Sequence, residues 1–144
     1  MKSGYSPRVN PLELGLPHGE PFIFVDEVTR VEAGTEAEGV KTFPADQDFF
    51  RGHFAGNPIV PGVILTEALA QMAGIAAGSD GSGRRFLLSA IRSMKFPGAA
   101  NPDETLHLWA KKSADLGGLL HFEVKARAGE RTVAEGHLIL SDWP

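Results

Sequence analysis

Along the 144 residues the apolar positions change spacing several times, and each change marks an element. Residues 22–28 (FIFVDEV) are aromatic and β-branched and predict a first strand. Residues 36–43 predict a weaker one, set off by Ala33-Gly34 and Pro44. Residues 45–61 keep no period and carry Gly52, Gly56, Pro58 and Pro61, a long loop of the kind that usually serves a function. Residues 62–77 are apolar nearly all round and predict a helix enclosed by other structure. Pro61 suits its start and Gly78 its end. After a turn at 79–83, strands are predicted over 86–96, 104–111, 120–127 and 131–140. Within 120–127, Leu120, Phe122, Val124 and Ala126 alternate with His121, Glu123, Lys125 and Arg127, and Ala128-Gly129-Glu130 turns the chain into a hairpin. One buried helix among antiparallel strands is an α+β pattern in which the sheet must curl round the helix.

Composition narrows the function classes. The chain is 42% apolar and 22% charged, ordinary for one soluble domain over residues 1–144. A net charge of −4 argues against a general nucleic-acid binder. The absence of cysteine removes disulfides, thiolate chemistry and Cys-bound zinc, and fits a cytoplasmic location. Residues 1–17 hold three prolines and two glycines, which predicts a surface lead-in without a signal segment. Pro61, Gly62, Glu67, Gln71 and Gly74 interrupt the apolar stretch over 59–77, so it reads as a core helix and not a membrane span.

The chemistry concentrates in FFRGHFAGNPIVPGVILTEALAQ (49–71). Glu67 is the only charged residue between Ile59 and Ser79, and an isolated carboxylate is costly to bury. Gln71, four residues on, shares its helix face. The bland alternative is a Glu67 at the helix edge, reaching water. His53 sits in a Gly/Pro-bound loop, and a lone loop histidine is often only solvated or structural. Its neighbours Gly52 and Phe54-Ala55-Gly56, and a helix start nine residues on, give it a catalytic context. Free N–H groups at that start, near Gly62, suit a developing oxyanion. His18, His107, His121 and His137 show no metal-ligand spacing, no glycine fingerprint for phosphate is present, and no serine elbow occurs.

The strings LPHGEPFIFVDEV (16–28) and FFRGHFAGNPIVPGVILTEALAQMAG (49–74) closely resemble the (3R)-hydroxyacyl-[acyl carrier protein] dehydratases, the FabZ-like branch of the hotdog superfamily. The shared features are Gly52-His53-Phe54, Pro61-Gly62, and Glu67 fourteen residues after the histidine, followed by Ala68-Leu69-Ala70-Gln71. The resemblance implies a hotdog fold, an antiparallel sheet wrapped around one long central helix. It implies a homodimer with the active site across the interface, and allows a hexamer (a trimer of dimers) or a heterodimer with another hotdog subunit. It implies loss of water from (3R)-hydroxyacyl chains to give trans-2-enoyl products, in fatty acid or related polyketide or aryl polyene-type biosynthesis. The substrate is carried on the phosphopantetheine of acyl carrier protein, with no metal or organic cofactor and no nucleic-acid or membrane partner.

In that scheme His53 takes the C2 proton, Glu67 of the partner subunit serves the departing hydroxyl, the Gly62 N–H holds the thioester carbonyl and Gln71 supports Glu67. Phe49, Phe50, Phe54 and Ile64 are candidates for the acyl tunnel, and Arg84, Arg85, Arg92 and Lys95 for contact with the carrier. The chain departs from the family pattern at Gly19-Glu20, Ala55, Asn57 and 96–104, where positive charge is lost; a specialised pathway is the corresponding expectation. A hotdog thioesterase and a non-catalytic acyl binder are the alternatives.

Overall fold

The computed structural model describes residues 9–14 and 16–143. Of the lead-in expected over residues 1–17, residues 1–8 and 15 lie outside these. From Val9 onward it is tied down, because Val9 and Val28 exchange backbone hydrogen bonds of 2.9 and 2.8 Å and Leu16 is buried.

Among the described residues six strands form one antiparallel sheet: β1 (Glu27–Glu32), β2 (Glu36–Thr42), β3 (Phe86–Lys95), β4 (Thr105–Leu116), β5 (Leu119–Ala128) and β6 (Arg131–Asp142). Their order across the sheet is β1-β2-β4-β5-β6-β3. Helix α1 (Gly62–Gly78) falls between β2 and β3 in sequence. Strand alternation decides which face it meets: Leu120, Phe122, Val124, Ala126 and Ala128 of β5 point inward and their neighbours outward. The helix answers with Leu65, Ala68, Leu69, Met72, Ala73, Ile75 and Ala76, each 2% exposed or less. It packs chiefly on β4 and also meets β2, β5, β6 and β3, so the sheet wraps it. This is the hotdog arrangement that the sequence resemblance implied.

The small residues set the spacing of these layers. On β2, a side chain at Gly39 would bring a Cβ to 2.6 Å from the Glu27 carbonyl oxygen and 3.1 Å from Met72 Sδ. The backbone atom cannot give way. Gly39→Ala is therefore expected to lose about 1–3 kcal/mol of stability, read as a lower urea midpoint with an unchanged slope. An unchanged midpoint would contradict this packing.

Two predicted boundaries are corrected. Residues 22–26 are not strand: Ile23, Phe24 and Val25 are buried in succession, which a two-residue period cannot do against one face. The Phe24 N–H goes instead to the Gln71 side chain, and pairing with β2 begins only at Asp26 N–H to Val40 O, 2.8 Å. β4 runs five residues past the predicted Lys111, because Leu116 pairs with Leu119 around Gly117-Gly118. Both glycines have positive φ (63° and 85°), the backbone that a two-residue hairpin loop demands.

On the outer face, His121 Nδ1 and His137 Nε2 lie 2.9 Å apart. Burial, then the neighbouring His121 and Arg92 charges, lower the His137 pKa below 6.5, with Glu123 opposing. The unfolded chain then binds the extra proton first. Stability is expected to decline as pH falls below about 6.5 toward the lowered folded value, and His137→Gln should flatten that decline. Denaturation midpoints measured across that window check it.

The two sheet edges differ. β1 is short and partly covered by Val9. β3 is ten residues long, pairs among the described residues only with β6, and exposes Leu87, Leu88 and Ile91. A long, apolar open edge invites another strand.

Candidate active site

Loop and helix place the two candidate residues differently. After a 3-10 turn over Asp48–Arg51, the chain bends back so that His53 N–H reaches Phe49 O (3.0 Å) and Ile59 N–H reaches His53 O (2.9 Å). His53 Nδ1 lies 3.3 Å from the Ile59 carbonyl oxygen. A carbonyl can only accept, so Nδ1–H is the donor in this contact and Nε2 is the ring nitrogen left unengaged among the described residues. The ring stacks on Phe54, centroids 4.2 Å apart, which fixes its plane. One backbone carbonyl and one neighbouring ring thus set the orientation of the imidazole.

Glu67 lies one and a half turns into α1 and is partly buried. Its Oε2 accepts from Gln71 Nε2 at 3.0 Å and sits 3.2 Å from His18 Nε2. Gln71 is 1% exposed and fully engaged: Nε2 also donates to Phe22 O at 3.0 Å, and Oε1 accepts the Phe24 N–H at 2.8 Å. It thus stitches the segment before β1 to the helix and holds one oxygen of Glu67. The helical neighbours Val63, Ile64, Ala70 and Gln71 offer Glu67 no basic partner. His18, which sequence spacing did not single out, supplies one from outside the helix.

Glu67, His18 and Gln71 open on a cavity of about 310 Å³ whose other walls include Leu16, Phe22, Ala70, Phe86, Leu88 and Leu140, with Arg85 at one side. It is an apolar pocket with its polar atoms at one place, the form of a site for a mostly hydrocarbon ligand. Among the described residues no cluster of three or more metal-ligating side chains occurs.

Within one chain the remaining candidates are not gathered at this cavity. His53 makes its polar contact with Ile59, not with Glu67. Phe49 packs on Phe43 and Phe50, and Phe50 is buried in the core; neither borders the cavity, nor does Ile64, which packs against the core. Phe54 is 56% exposed beside His53. Gly62 begins α1 and lies against the Phe96 ring, where a Cβ would come within 3.1 Å of Cζ. The helix ladder starts with Ile64 and Leu65 N–H on Pro61 O, so the Gly62 N–H is one of the free donors of the first turn.

The four cations divide between the ends of β3. Arg84 grips Asp142 through two 3.0 Å bonds, which raise its pKa further, and Arg85 lies over the Trp143 ring at 4.5 Å. Arg92 and Lys95 are exposed toward the other end, Lys95 bordering an outer hollow with Glu123 and His137. No helix among the described residues is long and apolar enough to cross a membrane.

Residues 16–137 match the FabA-like domain family. The 3-hydroxyacyl-[acyl-carrier-protein] dehydratase FabZ of Ruminiclostridium cellulolyticum is 39% identical over 125 residues, covering 85% of this chain and 88% of the relative. FabZ of Clostridioides difficile is 32% identical over 136 residues, covering 93% and 96%. Among solved structures, the dehydratase heterocomplex ApeI:P of Xenorhabdus doucetiae superposes with a TM-score of 0.77 at 17% identity, over 95% of this chain and 93% of that one, a likeness of fold. By sequence over most of its length, and by its wrapped helix, the chain belongs to the FabA-like family and to the FabZ-type 3-hydroxyacyl-[acyl-carrier-protein] dehydratases within it.

Proposed function

We propose that the chain removes water from (3R)-3-hydroxyacyl groups carried on acyl carrier protein, giving trans-2-enoyl thioesters for fatty acid or related lipid synthesis. One observation carries this reading: a histidine held through Nδ1, with Nε2 unengaged, precedes a helix whose Glu67 carboxyl group is held by donors beside an apolar cavity. Elimination needs both groups. His53 Nε2 takes the C2 proton, and the electrons of that C–H bond form the C2–C3 double bond through an enolate-like thioester. The Gly62 N–H supports the oxygen on which charge gathers. Glu67 gives its proton to the C3 hydroxyl, which leaves as water. Proton exchange with solvent resets the pair.

His53 and Glu67 do not meet within one chain, so the complete site is assigned to a homodimer, His53 from one subunit and Glu67 from the other. The open β3 edge, with Leu87, Leu88 and Ile91 exposed, is the surface suited to pairing with its own copy about a two-fold axis. Arg85 beside the Glu67 cavity is the best placed of the four cations to meet the acidic carrier. Arg84, already paired, is less free to do so.

Mass spectrometry of 3-hydroxyacyl chains on a carrier protein tests the reading. Loss of one water, reversed when the enoyl product is supplied, is expected. Release of free carrier thiol would identify a thioesterase, and an unchanged substrate would identify an acyl binder.

A further inference from the structure

We infer that His18 is a positioning residue for Glu67: with Gln71 it occupies Oε2 and leaves Oε1 as the oxygen that gives the proton. The inference rests on the dehydration reading above and adds a residue to it. Both donors converge on the same oxygen, Gln71 Nε2 at 3.0 Å and His18 Nε2 at 3.2 Å. Among the described residues no donor reaches Oε1. A carboxylic acid protonated on Oε1 keeps Oε2 as a pure acceptor for both N–H groups. When Oε1 releases its proton, those bonds become charge-assisted and shorten, so they favour the transition state over the resting acid.

The rest of His18 points the same way. Its Nδ1 is buried without a hydrogen-bond partner, a cost in stability that a purely structural histidine has no reason to carry. Its ring stacks on Phe22 with 16° between planes, and Gln71 holds the Phe22 carbonyl, so one local frame orients both donors. A single hydrogen bond at 3.2 Å between side chains 28% and 21% exposed adds only modestly to stability. What the contact does should therefore appear in turnover.

Two variants and one spectrum test this. His18→Leu is expected to lower kcat about 10–100-fold with KM within about twofold, at a urea midpoint no lower than that of wild type. His18→Gln, which restores an N–H donor at similar reach, is expected to recover most of that loss. A His18→Leu enzyme within about threefold of wild type, or a Gln variant no better than the Leu variant, overturns the assignment. Nitrogen-15 spectra of the wild-type imidazoles decide it without turnover: a protonated Nε2 on His18 supports it, a bare Nε2 overturns it. Should wild type release no water, the dehydration reading fails, and the spectrum still rules on the contact.

Discussion

His53→Ala is expected to lower turnover about 10²–10⁴-fold, the usual worth of a positioned general base. The loss should come without a matching loss of stability. His53 stands on a partly exposed loop turn, its ring held by one carbonyl and one neighbouring ring, and no core residue depends on it. The urea midpoint of the variant is expected within about 0.5 kcal/mol of wild type once multiplied by its slope. A variant that turns over at the wild-type rate would remove His53 from the chemistry.

Glu67→Gln is expected to lose activity on a similar scale, for a different reason. The amide keeps the shape of the carboxyl, and its carbonyl oxygen can still accept from Gln71 and His18, so the helix and cavity are preserved. What disappears is the acidic proton. Without it the C3 hydroxyl must leave as hydroxide or take a proton from water. Since binding is retained, kcat should fall while KM stays close to wild type. A fall confined to KM would instead make Glu67 a binding group.

The fold was legible where one signal dominated. The all-round apolar run of α1 has no stable place except inside a curled sheet, and the alternation over β5 names its inward face residue by residue. It was less legible where tertiary partners replaced local ones. The FIFV segment carries every strand preference, yet Gln71, 47 residues away from Phe24, takes the hydrogen bond that a ladder would have used. Gly117-Gly118 is the hairpin signal between the strands predicted over 104–111 and 120–127, and β4 runs up to it.

The site divides in the same way. Glu67 and Gln71 share a helix face, so spacing alone brings them together. His18 lies in a string that carries the family resemblance, but 49 residues separate it from Glu67 and no periodicity spans that distance. Apolar character selects Phe49, Phe50, Phe54 and Ile64 without distinguishing a core side chain such as Phe50 from a cavity wall, and within one chain the cavity beside Glu67 borders on Leu16, Phe86 and Leu88.

The central claim is a dehydration site shared between two chains, and mixing two inactive enzymes tests it most directly. His53→Ala and Glu67→Gln proteins, co-refolded and assayed for water loss from a 3-hydroxyacyl carrier protein, form mixed dimers in which one of two sites regains both residues. With random pairing half the dimers are mixed, so recovery of about a quarter of wild-type specific activity is predicted. Activity that stays at the level of the separate variants, although native mass spectrometry shows the mixed dimer, would contradict the shared site.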